Sequence, residues 1–313
     1  MSVGVGMSEA WMSPDGTKLA YVRGGQVGNV WRIPILDERE ATWADAEQLT
    51  FDEAAIHGMD VSPDGTQLVV SSERSGNTDL WTLPADGGNM QQLTTDPTPD
   101  WTVRWSPDGQ QVVFYSYRSG NRDIWIMPAT GGTARQMTAH EADDWYPAWS
   151  PDGTEIVFGS RRSGVFDIWA VSVASGEERL LTNSRFRDDL PGWSPDGQWL
   201  TFSSNRSGQS EVWGIPAVGG EPEQLTTGGG QPRIWSPDGR EIYFWRRRDA
   251  QFWALSMDTR TEHRLTHLTG RFGSADIGEM STDGHYLYFP WNARQGDIWV
   301  MDVIQDQDDG SDD

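Results

Sequence analysis

Short apolar runs broken by turn residues recur along the whole chain, and the clearest block begins at Trp149-Ser150-Pro151-Asp152-Gly153. Pro presets φ for the first corner of a tight turn, Asp can bond its own backbone, and Gly accepts the positive φ that follows. The phrase therefore predicts a strand ending at Trp149, a sharp reversal and a second strand over Glu155–Ser160. Arg162-Ser163-Gly164 then predicts a turn, residues 166–173 a third strand, Ser175-Gly176 another turn, and Glu178–Thr182 a fourth strand. Each unit reads as a four-stranded antiparallel meander.

The phrase recurs at Ser13, Ser62, Ser106, Ser150, Ser194, Ser236 and, as Ser-Thr-Asp-Gly, at Ser281, with spacings of 49, 44, 44, 44, 42 and 45 residues. A tryptophan follows each serine by 17 to 19 residues, at Trp31, Trp81, Trp125, Trp169, Trp213, Trp253 and Trp299. Agreement in seven registers marks a true repeat. One such unit cannot bury both faces of its sheet, whereas a radial arrangement buries each face against a neighbour. The expected fold is an all-β, seven-bladed β-propeller over residues 1–304, followed by an acidic, disordered tail over 305–313. Unit seven lacks the Leu-Thr strand found in the others, as at Leu93-Thr94 and Leu181-Thr182, so residues 2–6 are expected to supply it and close the ring.

Units two to five share a Ser-x-Arg-Ser-Gly turn, with Arg74, Arg118, Arg162 and Arg206 each followed five residues later by Asp79, Asp123, Asp167 or Glu211. Arg–carboxylate clamps across that turn are the simplest reading. Unit six departs with Trp245-Arg246-Arg247-Arg248, a local basic patch.

Composition narrows the partners. The 313 residues carry a net charge of −23, and Lys18 is the only lysine among 24 basic residues. Such a surface repels nucleic acid and anionic membranes. It suits a halophilic source, or simply a solvated surface from a GC-rich genome. No cysteine is present, which excludes disulfides and thiolate metal sites. No stretch approaches a membrane span and no signal peptide opens the sequence, so the chain reads as soluble, in a cytoplasmic, periplasmic or secreted compartment. Of the five histidines only His263 and His267 lie close together, and their spacing does not place both on one strand face. Neither a metal nor a cofactor is expected.

Trp-Ser-Pro-Asp-Gly, Ile-Val-Phe-x-Ser-x-Arg-Ser-Gly, Asp-Ile-Trp and Gln-Leu-Thr together resemble the TolB-like, WD-repeat-like propeller family over residues 7–304. The resemblance implies a propeller and leaves the function open, because members include a periplasmic partner of a lipoprotein, propeller gates of prolyl peptidases and sugar-acid lyases. The extra α/β domain of the first and the hydrolase domain of the second are missing, as is a Gly-x-Ser-x-Gly elbow.

In a propeller, ligands favour the mouth of the central channel, reached by the loops entering the innermost strands. Counting back from the residue before each serine, the fifth place holds Asp100, Asp144 and Asp188, which cap the loop or draw a cation. The fourth varies as Ser8, His57, Trp101, Trp145, Asp189, Gln231 and Asp276, the aromatic and polar mix a pocket uses. Arg104, Tyr146, Arg187, Arg233 and Arg271 stand nearby. Trp105, Trp149, Trp193 and Trp235 recur in register and read as core.

A non-enzymatic binding or scaffold propeller is the expected function, with a protein or peptide partner or a small ligand such as an oligosaccharide. The alternative is a carbohydrate-active lyase or hydrolase using His57 with Arg104 or Arg233. A minor one is an engineered propeller with no native ligand.

Overall fold

The computed structural model describes residues 7–15, 17–51, 54–275 and 279–302, with the backbone alone at 7–10, 21–26, 294–299 and 301–302. The segment 2–6, Asp276 and the tail 305–313 lie outside the described residues.

Units two to six each form the expected meander, covering residues 56–92, 100–136, 144–180, 188–224 and 231–264. The Ser-Pro-Asp-Gly phrase works as a self-contained hydrogen-bond knot. Ser150 Oγ donates to Asp152 Oδ1 at 2.7 Å, Thr154 N donates to the same oxygen at 3.0 Å, and Glu155 N donates back to Ser150 Oγ at 2.9 Å. Gly153 takes φ +71°, which a side chain would resist. These bonds, that from Ser150 first, hold the Asp152 carboxyl below its usual range.

The Leu-Thr strand also earns its recurrence: Thr182 Oγ1 accepts from Ile168 N at 2.9 Å while Leu181 N donates to Ile168 O at 2.8 Å. The second strand of each regular blade is almost wholly buried, because it meets neighbouring blades on both faces. Core clusters accordingly mix adjacent units, as where Val113, Tyr115 and Ile126 of unit three pack on Ile156, Phe158 and Val171 of unit four.

The ring has six blades among the described residues, and the seven-bladed expectation is corrected. Units one and seven do not each make a blade. They share one sheet, in which Lys18–Pro34 and Tyr286–Asp302 pair antiparallel along their full length. The closing blade takes its inner strands, Ser274–Ala275, Ser281–Thr282 and residues 286–292, from the C-terminal side. Its outer strands, residues 29–34 and Glu47–Gln48, come from the N-terminal side. Trp31 stands opposite both Phe289 and Gln48, so it holds the third-strand place of this blade. The stretch around Trp299, expected as the third strand of a seventh blade, instead continues Tyr286–Asp302 beyond the ring beside residues 18–23 and Met7–Met12.

The closing blade packs on both neighbours. Trp31, Phe289 and Trp291 meet Tyr243, Trp245 and Phe252 of unit six, while Val30 and Tyr288 meet Ile56, Met59 and Val70 of unit two. The seven-unit count failed because the phrase marks a hairpin, and the first such hairpin, Met7–Met12 with residues 18–23, lies outside the ring. Units one and seven also lack the Ser-x-Arg-Ser-Gly turn, having Gly24-Gly25-Gln26-Val27-Gly28 and Asn292-Ala293-Arg294-Gln295-Gly296 in its place. Both strands run straight through.

The arginine clamp is real, with different partners. Arg118, Arg162 and Arg206 pair with Asp100, Asp144 and Asp188 of their own innermost strands at 2.7, 2.8 and 2.6 Å. The acids five residues later are held otherwise, as Asp123 by Ser119, Gln136 Nε2 at 3.0 Å and Thr138.

Candidate functional site

Every innermost strand of units two to six carries a bulge, seen as register shifts between Ile56 and Gly58, Trp101 and Arg104, Trp145 and Ala148, Asp189 and Gly192, and Pro232 and Ile234. At three of them a residue with a side chain holds positive φ: Thr102 at 45°, Tyr146 at 53° and Leu190 at 56°. Backbone strain of this kind persists where surrounding structure enforces it, and bulges re-aim side chains. Here the strained residues line the central channel.

The channel encloses a cavity of about 270 Å³. It runs from the bulges to the Ser-Pro-Asp-Gly turns, where Pro107, Pro151 and Pro195 border it, rather than gathering at the loops that enter the inner strands. The position two residues before each serine gives the channel two unlike walls. Asp60, Arg104 and Glu279 make one; Ala148, Gly192 and Ile234 make the other. Trp105, Trp149, Trp193 and Trp235 pack between blades and also border the cavity.

The charged wall is internally bonded. Arg104 Nη2 donates to Glu279 Oε2 at 2.8 Å, and Arg233 Nη1 stands 4.0 Å from Glu279 Oε1. Asp60 accepts from Ser281 Oγ at 2.6 Å and Trp105 N at 2.8 Å. Burial pushes the Asp60 carboxyl up, against the opposing pull of Arg104. Burial alone would depress Arg104, but the carboxylates of Glu279 and Asp60 outweigh it and hold its pKa above the usual value. Arg233, 2% exposed, goes the other way: burial lowers it despite Glu279 and Tyr146. Burial also raises the Tyr146 hydroxyl, with Glu279 and Asp189 adding to the effect.

Of the residues named from sequence, Arg104, Tyr146 and Arg233 line this cavity. The other described candidates lie apart from its lining. His57 Nε2 sits 2.9 Å from Glu73 Oε1, and its ring is 4.5 Å from that of Trp101. Trp145 is wedged between Arg122, 3.2 Å over its ring, and the aromatic rings of Tyr115, Tyr146 and Phe166. Asp189 is buried and paired with Arg187 at 2.6 Å. Gln231 accepts from Arg233 at 3.2 Å. Arg271 lies over Trp31 at 4.1 Å, beside Trp43 on the closing blade. Asp276 falls outside the described residues. His263 and His267 face different carboxylates, Glu241 and Glu40.

Sequence reasoning missed Asp60 and Glu279. Reading the place two residues before each repeat serine of units two to seven, rather than three places further back, separates Asp60, Arg104 and Glu279 from Ala148, Gly192 and Ile234 at once.

Comparison with known proteins extends this description. A curated relative, an uncharacterized protein of Agrobacterium fabrum, is 33% identical over 95 residues, spanning 26% of this chain and 31% of that protein. A TolB-like protein from Agrobacterium tumefaciens has a solved structure similar to this one at TM-score 0.72 and 26% identity, covering 86% of this chain and 99% of the other. TolB from Acinetobacter baumannii matches at TM-score 0.61 and 19% identity, over 88% of this chain and 66% of that one. An oligogalacturonate lyase from Vibrio parahaemolyticus shares the fold at TM-score 0.54 and 12% identity, over 86% and 98%. The family model for the TolB beta propeller domain matches residues 2–189 and 142–307, which together span nearly the whole sequence. With the repeat register and the propeller both in agreement, the chain belongs to the TolB beta propeller domain family.

Proposed function

We propose that this chain is a non-catalytic binding propeller that takes a peptide segment of a partner protein into its central channel. The observation that carries the reading is the two-walled cavity. At about 270 Å³ it falls just below the range of about 300–1,000 Å³ usual for pockets that engulf a small molecule. It suits one or two side chains of a segment docking at the channel end. The wall of Ala148, Gly192 and Ile234 leaves apolar room for such a side chain, while Asp60, Arg104, Arg233 and Glu279 offer both donors and acceptors to a peptide backbone. Because Arg104 and Glu279 bond each other, Asp60 accepts from Ser281 and Trp105, and Arg233 donates to Gln231, these groups orient a ligand without being left unpaired in its absence.

The carbohydrate-active alternative needs His57 beside Arg104 or Arg233. Both arginines line the cavity, whereas His57 lies outside the lining and is engaged by Glu73 and Trp101, which favours the binding reading.

Gly192→Leu tests the proposal. A Cβ at Gly192 would meet only Thr201 Oγ1 at 3.6 Å, an ordinary contact, so the fold can accept the side chain while the cavity loses its space. Peptides selected from a displayed library against the wild type are expected to bind Gly192→Leu at least about tenfold more weakly, the effect of about 1.4 kcal/mol. Equal binding to both proteins would remove the channel from the mechanism. Turnover of acidic oligosaccharides by the wild type would replace the reading with the enzymatic one.

A further inference from the structure

In unit four the guanidinium of Arg162 lies over Phe158 and Trp169 at 5.4 and 4.6 Å, bonds Glu178, and grips both oxygens of Asp144 at 3.0 and 2.8 Å. Unit six builds the same place from a different residue. The Arg246 guanidinium lies over Phe244 and Trp253 at 5.3 and 3.9 Å and bonds Glu262, which stands where Glu178 does. The carboxylate, however, is gone. Gly230 occupies the register of Asp100, Asp144 and Asp188, six residues before the Ser-Pro-Asp-Gly serine. Arg246 Nε donates instead to Gly229 O at 3.1 Å.

A cavity of about 300 Å³ opens there, between units five and six, lined by Gly228, Gly229, Gly230 and Arg246, Arg247, Arg248. Its glycines are required by packing. A Cβ on Gly228 would stand 2.9 Å from Arg246 Nη2, one on Gly230 2.8 Å from the Phe244 ring, and Gly229 has φ +84°. Arg248 falls in the register of the clamp arginines Arg118, Arg162 and Arg206. Both Arg247 and Arg248 are exposed, and neither forms an ion pair with a carboxylate among the described residues. No carboxylate is part of its lining among the described residues, and the acids bonded to that lining are already engaged, Glu262 by Arg246 and Glu211 by Gln209, Thr226 and Gly229 N. Three guanidiniums and no carboxylate line the cavity among the described residues, a positive site within a chain of net charge −23.

We propose that this inter-blade cavity binds a small carboxylate, which takes the place that an aspartate side chain fills in units three to five. A planar carboxylate matches a guanidinium through two parallel hydrogen bonds, and glycines let it reach the backbone closely. Unit two shows the contrast: there the same register holds Ile56, whose buried side chain packs in an apolar cluster.

The test is an NMR titration with succinate of protein labelled at arginine Nε–Hε, with sodium chloride at matched ionic strength as the control and inorganic phosphate as a competing anion. Saturable shifts with succinate are expected in the wild type. In the surface variant R247S/R248S the affinity is expected to fall at least about tenfold, from the loss of charge-assisted hydrogen bonds. In Gly230→Asp, which restores the built-in carboxylate, the response is expected to vanish. Wild-type affinity in R247S/R248S, or shifts no larger than those with chloride, would overturn the proposal. Phosphate binding more tightly than succinate would overturn the assignment to carboxylates. The double variant alters only exposed side chains, so the test stands even if the Phe244 ring cannot make room for Gly230→Asp.

Discussion

Asp144 shows what a repeated residue does when its partner is hidden from a linear reading. It is fully buried, and its carboxylate would be costly there without Arg162, which stands 18 residues further along the chain. Burial raises its pKa, while Ser160 and Arg162 oppose that rise. The recurrence of both residue types was legible, but not the pairing, because an acid five residues after each arginine was nearer in sequence. Those nearer acids belong to Ser119, Ser163 and the Leu-Thr threonines, a division made only when the second and third strands align. Removing one member of a buried pair strands the other, so Asp144→Ala is expected to cost about 3–5 kcal/mol. Thermal melts at neutral pH should show the loss as a drop of several degrees or more. Because the folded-state pKa is raised, the folded protein takes up a proton on Asp144 before the unfolded chain does. As the pH falls between that raised value and the pKa of the unfolded chain, this uptake stabilises the folded wild type, which the variant cannot match, so the gap between wild type and variant should widen. A gap that narrowed on acidification would contradict a carboxyl whose pKa is raised by burial.

At the level of strands, the five regular blades were readable because each local signal agreed with its neighbours: phrase, second strand, tryptophan and Leu-Thr, joined in units two to five by the arginine turn. The closing blade was not, since its pairing joins residues more than 250 positions apart, such as Trp31 and Phe289. No local pattern announces such a contact. What the sequence did contain was a pair of altered turns in the two end units, rich in glycine on one side and without the Ser-x-Arg-Ser-Gly phrase of units two to five. Gly28 reveals how closely the resulting sheet is fitted. A Cβ there would lie 1.9 Å from Asn292 Oδ1 and 2.7 Å from the backbone nitrogen of Ile56, while Gly28 N donates to Ala54 O at 3.0 Å. Asn292 in turn donates to Ile56 O at 3.0 Å, tying the closing blade to unit two. Gly28→Ala must displace backbone as well as a side chain, and overpacking of this kind costs about 1–3 kcal/mol. Denaturant melts should move to a lower midpoint, with faster amide exchange at Ile56 and Asn292. An unchanged midpoint would mean that this contact does not hold the ring shut.

The whole molecule is a ring whose integrity depends on one sheet drawn from both ends of the chain, and this sets which parts it can spare. Residues 29–34 and 47–48 are the outer half of the closing blade, and through Trp31 and Ile33 they cover the apolar side of unit six. Among the described residues, Met7–Met12, residues 18–23 and residues 297–302 pair only with one another and lie beyond the ring. A chain spanning residues 27–292 therefore keeps every strand of the six blades. It is expected to elute from gel filtration in the same oligomeric state as the full chain and to melt in a single cooperative step within a few degrees of it. A chain starting at Ile56 keeps all five regular blades, yet leaves residues 286–292 as an uncovered edge and exposes the apolar surface around Phe252 and Trp245. Unpaired, apolar edges associate with other chains, so this shorter protein is expected to aggregate or to melt far lower. If instead the 27–292 chain failed to fold while the full chain folded, the paired extension would have to be counted as part of the ring's stability. The inner strands could not then be closed by residues 29–34 and 47–48 alone.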